Sequence, residues 1–219
     1  MPRFAALLID VDSTLTGIEG IDWLALRRGD AVAREVAGLT DRAMRGEIPL
    51  DRVYGERLAL VRPRRDDVEA LVGAYRGAAA PGAGDALARL ARSGVRVAVL
   101  SGGVRQAVAP FAGSLGVDDA AVHAVPLRFD AAGDYVDFDH TSPLATQEGK
   151  ALVAGQLLAG PGAFPRPALA VGDGATDLAM RGAVDAFAAF TGFVRREPVV
   201  RAADHSVASF TQLVELVLG

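Results

Sequence analysis

Three groups of polar residues in this sequence each follow a short apolar run, and their types suit the binding of a phosphate group and a hard cation. The first group is Asp10-Val11-Asp12-Ser13-Thr14, the second is Ser101-Gly102-Gly103, and the third runs from 172 to 177. A single acidic residue at such a position can simply cap a helix. Three polar groups that each follow an apolar run indicate instead that the fold brings them together in one site.

Asp10, Asp12 and Asp173 would lie within a few ångström of one another if the ends of their strands meet. Such a cluster is unstable unless it binds a cation or takes up protons. Carboxylate oxygens suit Mg²⁺, which keeps several waters and is commonly shared with a substrate phosphate. The three histidines are not spaced as zinc ligands, and the chain has 0 cysteines. The sequence therefore predicts Mg²⁺ as the cofactor.

Two glycine-containing segments, 101–103 and 172–174, could present backbone N–H groups to an anion. Each precedes a segment with helical spacing, and the positive end of a helix favours a phosphate. Lys150, at the start of another helical segment, could add a positive charge. An ordinary strand-to-helix turn uses glycine as well, and a lysine on a helix is commonly solvated. These residues indicate a phosphate site only in combination.

The elements that must position these residues alternate along the chain. Short, continuously apolar runs predict strands buried on both faces. They lie at 4–9, 95–100, 168–171 and 186–190. Helical spacing is found at 84–92, 104–115, 147–159, 176–182 and 209–218. The alternation predicts an α/β fold with a mostly parallel sheet flanked by helices, in which ligands bind at the carboxyl ends of the strands.

About 80 residues separate the first strand from the second, far more than one crossover helix requires. Helical spacing recurs there, interrupted by glycine and proline. The segments are 21–28, 31–45, 50–61 and 66–75. We predict a small helical cap domain at 17–78, inserted into a core domain formed by 1–16 and 79–219. Two further apolar runs, 121–129 and 135–138, predict a β-hairpin.

The composition excludes several classes of protein. The chain has 219 residues, of which 51% are hydrophobic and 23% charged, as in ordinary globular proteins. Its net charge of -4 argues against nucleic-acid binding. Its uncharged stretches are too short for a membrane helix, and the apolar run between Arg3 and Asp10 is too short for a secretory signal. We expect a cytoplasmic protein with no membrane or nucleic-acid partner, either a monomer or a homodimer.

Four motifs resemble, in order, those of the haloacid dehalogenase-like hydrolase superfamily. They are Asp10-x-Asp12-Ser-Thr, Ser101-Gly-Gly, Lys150, and Gly172-Asp173-Gly-x-x-Asp177. The superfamily places a helical cap between the first two motifs, where the predicted insertion lies. The resemblance implies a Rossmann-like core with this cap. Residues 10–22 also resemble the opening segment of the phosphoserine phosphatase family almost residue by residue.

The resemblance implies a role for each aspartate. Asp10 would attack phosphorus and form an aspartyl-phosphate. Asp12 would act first as general acid and then as general base, for which its pKa must be raised. Mg²⁺ would be bound by a carboxylate oxygen of Asp10, the main-chain carbonyl of Asp12, and Asp173. Asp177 would hold the ligands or waters of the ion in place.

The resemblance also implies the substrate contacts. Ser101, the Gly102 N–H and Lys150 would hold the phosphoryl oxygens, with Thr176 as a further binding residue. Thr176 stands where many relatives have asparagine, and Leu50 stands where an aromatic residue is common.

In the phosphoserine phosphatase family, a glutamate and an arginine bind the amino-acid end of the substrate. They align with Glu19 and Arg57, although Arg52 lies near enough to be the arginine instead. An α-amino acid carries one cation and one anion, so an opposite pair of charges suits it.

The expected activity is Mg²⁺-dependent hydrolysis of a small phosphorylated substrate, O-phospho-L-serine above all. Two alternatives stay open. They are transfer of the phosphoryl group to a hydroxyl amino acid such as homoserine, and hydrolysis of another small phosphomonoester. A phosphoaspartate signalling module is a remote alternative, because such modules lack a long insertion after the first strand.

Overall fold

A six-stranded parallel sheet lies at the centre of the protein. The structure is a computed structural model that describes residues 1–44, 48, 50–160 and 162–219. Side by side, the strands are β3 (Val122–Val125), β2 (Arg96–Val104), β1 (Ala6–Ile9), β6 (Ala168–Gly172), β7 (Ala186–Phe190) and β8 (His205–Val207). Every residue of β1, β6 and β7 is buried, which explains their continuously apolar sequences. The predicted α/β fold with a mostly parallel sheet is confirmed.

The register of the central strands aligns the ends of their apolar runs. In β1, Ile9 lies opposite Val99 of β2 and Val171 of β6. The residues that follow these positions therefore meet at one edge of the sheet. This is the edge at which open parallel sheets bind ligands.

The first four of the five helices described between β1 and β2 lie within the predicted insertion. They are α1 (Gly20–Arg27), α2 (Asp30–Met44), α3 (Leu50–Val61) and α4 (Arg65–Gly77). Helix α1 contacts the other three, and the guanidinium groups of Arg27 and Arg28 pair with Asp67 of α4. The helices thus pack on one another as a unit.

The chain enters and leaves this helical segment at neighbouring points. Thr16 and Ala79 form an antiparallel bridge, and the Gly17 N–H donates to the Ala78 carbonyl over 3.0 Å. This closure coincides with the predicted limits of the insertion. It supports the proposal that 17–78 is a cap domain and that 1–16 and 79–219 form the core domain.

The remaining helices accompany the sheet. They are α5 (Ala83–Arg92), α6 (Arg105–Ser114), α7 (Gly149–Leu157), α8 (Ala175–Leu178), α9 (Glu197–Ala202) and α10 (Phe210–Leu218). Helix α10 begins where the Ser209 hydroxyl accepts a hydrogen bond from the Gln212 N–H. Its buried residues include Phe210, Leu213 and Val217, an apolar stripe at helical spacing. None of the described helices is both long and apolar enough to span a membrane.

The predicted hairpin of 121–129 with 135–138 is wrong for the first part of its first strand. Residues 122–125 form β3, which pairs in parallel with β2 at the edge of the main sheet. The actual hairpin joins β4 (Leu127–Phe129) to β5 (Tyr135–Phe138) in antiparallel pairing. Pro126 separates β3 from β4, and because proline lacks an N–H it interrupts backbone pairing.

Candidate active site

A cavity of about 300 Å³ lies between the carboxyl edge of the sheet and the inserted helices. It is lined by the three polar strand ends, by α1 and α3, and by the start of α7. All of the site residues predicted from the sequence line it. They are Asp10, Asp12, Glu19, Arg57, Ser101, Gly102, Lys150, Asp173, Thr176 and Asp177. The fold thus brings together residues that are distant in the sequence.

Lys150 lies between two buried carboxylates. Its Nζ is 2.5 Å from Asp10 Oδ1 and 2.6 Å from Asp177 Oδ1. Burial acts to lower the pKa of Lys150, but its contacts with Asp10 and Asp177 raise that pKa above its ordinary value. The ammonium therefore stays charged. It favours the ionised form of Asp10, whose pKa is raised by burial and by Asp177.

Three buried carboxylates form an acidic cluster next to this lysine. Oxygens of Asp10, Asp173 and Asp177 lie within 4.8 Å of one another. Burial, and then the charge of Asp177, raise the pKa of Asp173 to about 6. Asp177 already accepts hydrogen bonds from Lys150 and, over 2.9 Å, from the Gly174 N–H. Both carboxylate oxygens of Asp177 are therefore paired. Among the described residues, Asp10 is paired only at Oδ1, by Lys150, and Asp173 only at Oδ2, by Arg196, so each keeps one oxygen for an ion. This all-oxygen donor set fits Mg²⁺.

Asp12 turns away from this cluster and toward the inserted helices. Its Oδ1 accepts a hydrogen bond from the Tyr75 hydroxyl over 2.7 Å, and its Oδ2 accepts one from the Gly20 N–H over 3.1 Å. Position 20 has no room for a side chain, because a Cβ there would lie 2.1 Å from the Tyr75 hydroxyl. Burial, followed by the charge of Glu19, raises the pKa of Asp12 to about 7. Asp12 can therefore exchange a proton near neutral pH.

The Ser101-Gly102-Gly103 segment belongs to β2 and is not a separate turn after it. The pairing of β2 with β3 shifts register between Leu100 and Val104, so the strand bulges at this segment. The Gly103 N–H donates to the Ser101 hydroxyl oxygen over 2.9 Å, which fixes the buried serine. The bulge brings Ser101 and Gly102 to the cavity wall.

Glu19 and Arg57 bring opposite charges to the same cavity. Glu19 Oε1 accepts a hydrogen bond from the Ser13 hydroxyl over 2.7 Å. The Arg57 NH2 group is 2.5 Å from Asp22 Oδ1, and the Arg57 side chain is 17% exposed. Arg52, in contrast, is 70% exposed and pairs with Glu56. The geometry therefore favours Arg57 over Arg52 as the substrate ligand.

Two residues that the sequence analysis missed also line the cavity. Arg196 donates from Nε to Asp173 Oδ2 over 2.9 Å, and its NH2 group is 3.9 Å from Glu19 Oε1. It follows β7, whose carboxyl end meets the same edge of the sheet, so the argument from strand ends could have found it. Tyr54 lies three residues before Arg57 on α3, and that spacing was its only signal.

Fold and site define the class of protein, and comparison with known families agrees. Residues 7–181 match the family model described as haloacid dehalogenase-like hydrolase. The chain belongs to this family and is an enzyme.

The chain is similar to phosphoserine phosphatases in particular. It is 37% identical to phosphoserine phosphatase of Rattus norvegicus over 210 residues, which cover 95% of this chain and 91% of the rat protein. A solved phospho-aspartyl intermediate analogue of phosphoserine phosphatase is 26% identical, with a TM-score of 0.81 and coverage of 97% and 98% of the two chains. A substrate-bound phosphoserine phosphatase complex is 25% identical, with a TM-score of 0.81 and coverage of 98% and 99%. These findings confirm the resemblance identified in the sequence.

Proposed function

We propose that this enzyme hydrolyses O-phospho-L-serine to L-serine and inorganic phosphate. The observation that carries the proposal is that Glu19 and Arg57 line the same cavity as Asp10. A carboxylate and a guanidinium suit the ammonium and the carboxylate of an amino acid, and Asp10 suits its phosphate. The names of the phosphoserine phosphatases to which the chain is similar support the same substrate.

In the first step, a carboxylate oxygen of Asp10 attacks phosphorus, and the bond from phosphorus to the serine oxygen breaks. The electron pair of that bond stays on the serine oxygen, which takes a proton from Asp12. A pKa of about 7 allows Asp12 to carry this proton at neutral pH. The products of the step are L-serine and an aspartyl-phosphate at Asp10.

In the second step, the Asp12 carboxylate takes a proton from a water molecule as the water oxygen attacks phosphorus. The bond from phosphorus to the Asp10 oxygen breaks, which restores the Asp10 carboxylate and releases inorganic phosphate. Asp12 thus regains the proton that it gave up. One residue can perform both transfers because its environment balances its two protonation states.

Asp10 and Asp173 would hold Mg²⁺, together with the main-chain carbonyl of Asp12. When bound, Mg²⁺ would offset the negative charges of the nucleophile and the phosphate. Asp177 positions the Lys150 ammonium through a contact of 2.6 Å.

The phosphoryl oxygens would be held by Lys150, the Ser101 hydroxyl and the Gly102 N–H, with Thr176 as a further residue of the cavity lining. Donors fixed in place before the reaction are the main means of stabilising phosphoryl transfer.

The test is phosphate release from L-phosphoserine, phosphothreonine, phosphoethanolamine, a sugar phosphate and p-nitrophenyl phosphate, with and without Mg²⁺. We expect Mg²⁺-dependent release with phosphoserine preferred. Asp10→Asn should lower kcat by about 10³-fold or more, because an amide is not a nucleophile here. Asp85→Asn, on the exposed face of α5, is the control and should leave kcat unchanged.

The same assay separates the alternatives. Release from p-nitrophenyl phosphate alone would contradict the substrate assignment and keep the chemistry of Asp10. Transfer to added homoserine in place of phosphate release would identify a phosphotransferase. A cytoplasmic location and a monomeric or homodimeric state stay predictions from the sequence.

A further inference from the structure

Helix α3 presents two buried and unpaired polar atoms at the cavity. They are the hydroxyl oxygen of Tyr54 and the Nε of Arg57, and both side chains line the cavity. Within the part of the chain that the structure describes, neither atom has a hydrogen-bond partner. Tyr54 is only 9% exposed. Burying a polar atom without a partner costs free energy, so such atoms call for a partner in the functional state.

The two residues lie on the same side of α3. Tyr54 precedes Arg57 by three positions, which places their side chains on one face of the helix. A ligand group that reaches Arg57 is therefore within range of Tyr54 as well. A carboxylate offers about four lone-pair positions and can accept from both residues.

The Tyr54 ring is held in place by the core hairpin. It makes an edge-on contact with the Phe138 ring of β5 at a centroid distance of 5.2 Å. Burial raises the pKa of the Tyr54 hydroxyl above its ordinary value, although Arg57 lowers it in part. The hydroxyl thus keeps its proton at neutral pH and is available as a fixed hydrogen-bond donor.

We propose that the Tyr54 hydroxyl donates a hydrogen bond to the carboxylate of the substrate and, with Arg57, selects substrates that carry an α-carboxylate. The assignment rests on the proposed function. It adds a specificity-determining residue on α3 that is separate from the groups that act on the phosphate.

The test compares Tyr54→Phe with the wild-type enzyme on two substrates that differ by the carboxylate. For phosphoserine, kcat/KM should fall about tenfold, mainly through a rise in KM, because a hydrogen bond to a charged group is lost. For phosphoethanolamine, which lacks the carboxylate, kcat/KM should change less than about twofold. Tyr135→Phe is the matched control, since Tyr135 is another buried tyrosine but lies outside the cavity lining.

Tyr54→Leu serves as a second variant without the hydroxyl and should lower the preference for phosphoserine over phosphoethanolamine in the same direction. An equal loss on both substrates would show that Tyr54 is only structural and would overturn the assignment. Unchanged kinetics of Tyr54→Phe on both substrates would overturn it too, with the proposed function intact. A wild-type enzyme that does not hydrolyse phosphoserine would overturn the proposed function and the assignment together.

Discussion

Asp10 and Asp12 are two residues apart, yet their surroundings suit them to different chemistry. Asp10 contacts the Lys150 ammonium at 2.5 Å, which favours its ionised form. Asp12 accepts from Tyr75 and Gly20, while burial and then Glu19 bring its pKa to about 7. The difference arises because Asp10 lies against Lys150 of α7, whereas Asp12 contacts residues of the inserted helices. These surroundings suit the proposed mechanism, in which Asp10 attacks phosphorus and Asp12 moves a proton.

The choice between Arg57 and Arg52 can be tested by parallel substitutions to glutamine. Arg57→Gln should lower kcat/KM for phosphoserine by about 100-fold, because a partly buried partner for a carboxylate is removed. Arg52→Gln should change it less than about twofold, because an exposed pair with Glu56 contributes little. Steady-state kinetics on phosphoserine measure both values. A larger loss for Arg52→Gln would show that Arg52, and not Arg57, corresponds to the arginine of the family.

Residues at strand ends could be predicted from the sequence, whereas residues on the inserted helices could be predicted only in part. Asp10, Ser101 and Asp173 follow apolar runs whose carboxyl ends must coincide in a parallel sheet. Tyr54 faces the cavity because of how α3 is rotated and packed against Phe138. That rotation depends on tertiary contacts between distant segments, which no local spacing reveals.

Helix α7 positions Lys150 because its first residue, Gly149, packs very closely against the backbone of Pro143. A Cβ at Gly149 would lie 1.7 Å from the Pro143 carbonyl oxygen. The glycine therefore lets the helix begin directly against the 143–145 turn, with the next residue directed at Asp10 and Asp177. The position of the lysine is a property of this contact between elements.

Alanine substitutions at two glycines of α7 should have opposite effects. Gly149→Ala should lower the free energy of unfolding by about 2 kcal/mol or more and reduce kcat, because the backbone must shift to relieve the overlap. Gly155→Ala meets no atom within 4 Å, so it should raise stability by up to about 1 kcal/mol through helix propensity. Urea denaturation and phosphate release measure the two effects. Equal stability of the two variants would show that the contact at Gly149 is unimportant.

The edge strand β8 is joined to the sheet by a carboxylate just before it. Asp204 accepts from the Phe187 N–H over 2.9 Å and from Arg181 over 2.6 Å. Its hydrogen bond from Arg181, followed by that from Phe187, lowers the pKa of Asp204 to about 2. The pair with Arg181 is partly solvent-screened, so its contribution is modest.

The stability that Asp204 contributes should depend on pH. A depressed pKa in the folded state stabilises the protein above the unfolded pKa of about 3.9, and the effect is lost as pH falls toward the folded value of about 2. Asp204→Asn should therefore be less stable than wild type by about 1 kcal/mol at pH 6 and nearly equal to it near pH 2. Chemical denaturation across this range gives the difference. A difference independent of pH would assign the effect to packing.

The strong apolar strands and the amphipathic helices were predictable, and the short edge elements were not. The runs at β1, β6 and β7 are buried on both faces, so their sequences are unmistakably apolar. β8 has only three residues, His-Ser-Val, and only its valine is fully buried. Its formation depends on Asp204 and on the neighbouring strand, which are tertiary effects. β3 was assigned to a hairpin for a similar reason, because sequence cannot show which neighbour a short strand pairs with.

At the scale of the molecule, the cavity is shared between two parts of the chain. The sheet edge provides the residues suited to the phosphate and the cation. Glu19, just before α1, and Arg57 on α3 are those suited to the amino-acid end. In the proposed division, the chain passes between the two parts next to the bridge between Thr16 and Ala79. Substrate that contacts both parts would therefore couple recognition on the helices to chemistry at the sheet.

The acidic cluster should make the stability of the whole molecule depend on a bound cation. Asp10, Asp173 and Asp177 bring three carboxylates together at the sheet edge, so an ion bound to the folded state should stabilise it. Mg²⁺ at about 100 times its Kd should add about 2.7 kcal/mol, which corresponds to a rise in Tm of several degrees. Asp173→Asn should lose this rise.

In EDTA at pH 8, Asp173→Asn should be at least as stable as wild type. Burial and the charge of Asp177 make it costly to ionise Asp173, and the substitution removes this buried charge. Asp85→Asn, an exposed change on α5, should keep the full response to Mg²⁺. Thermal melts of the three proteins with and without Mg²⁺ provide the comparison and require no substrate. An undiminished Mg²⁺ response in Asp173→Asn would place the ion elsewhere. Loss of that response together with retained stability in EDTA would show that Asp173 serves ion binding at the expense of the stability of the metal-free fold.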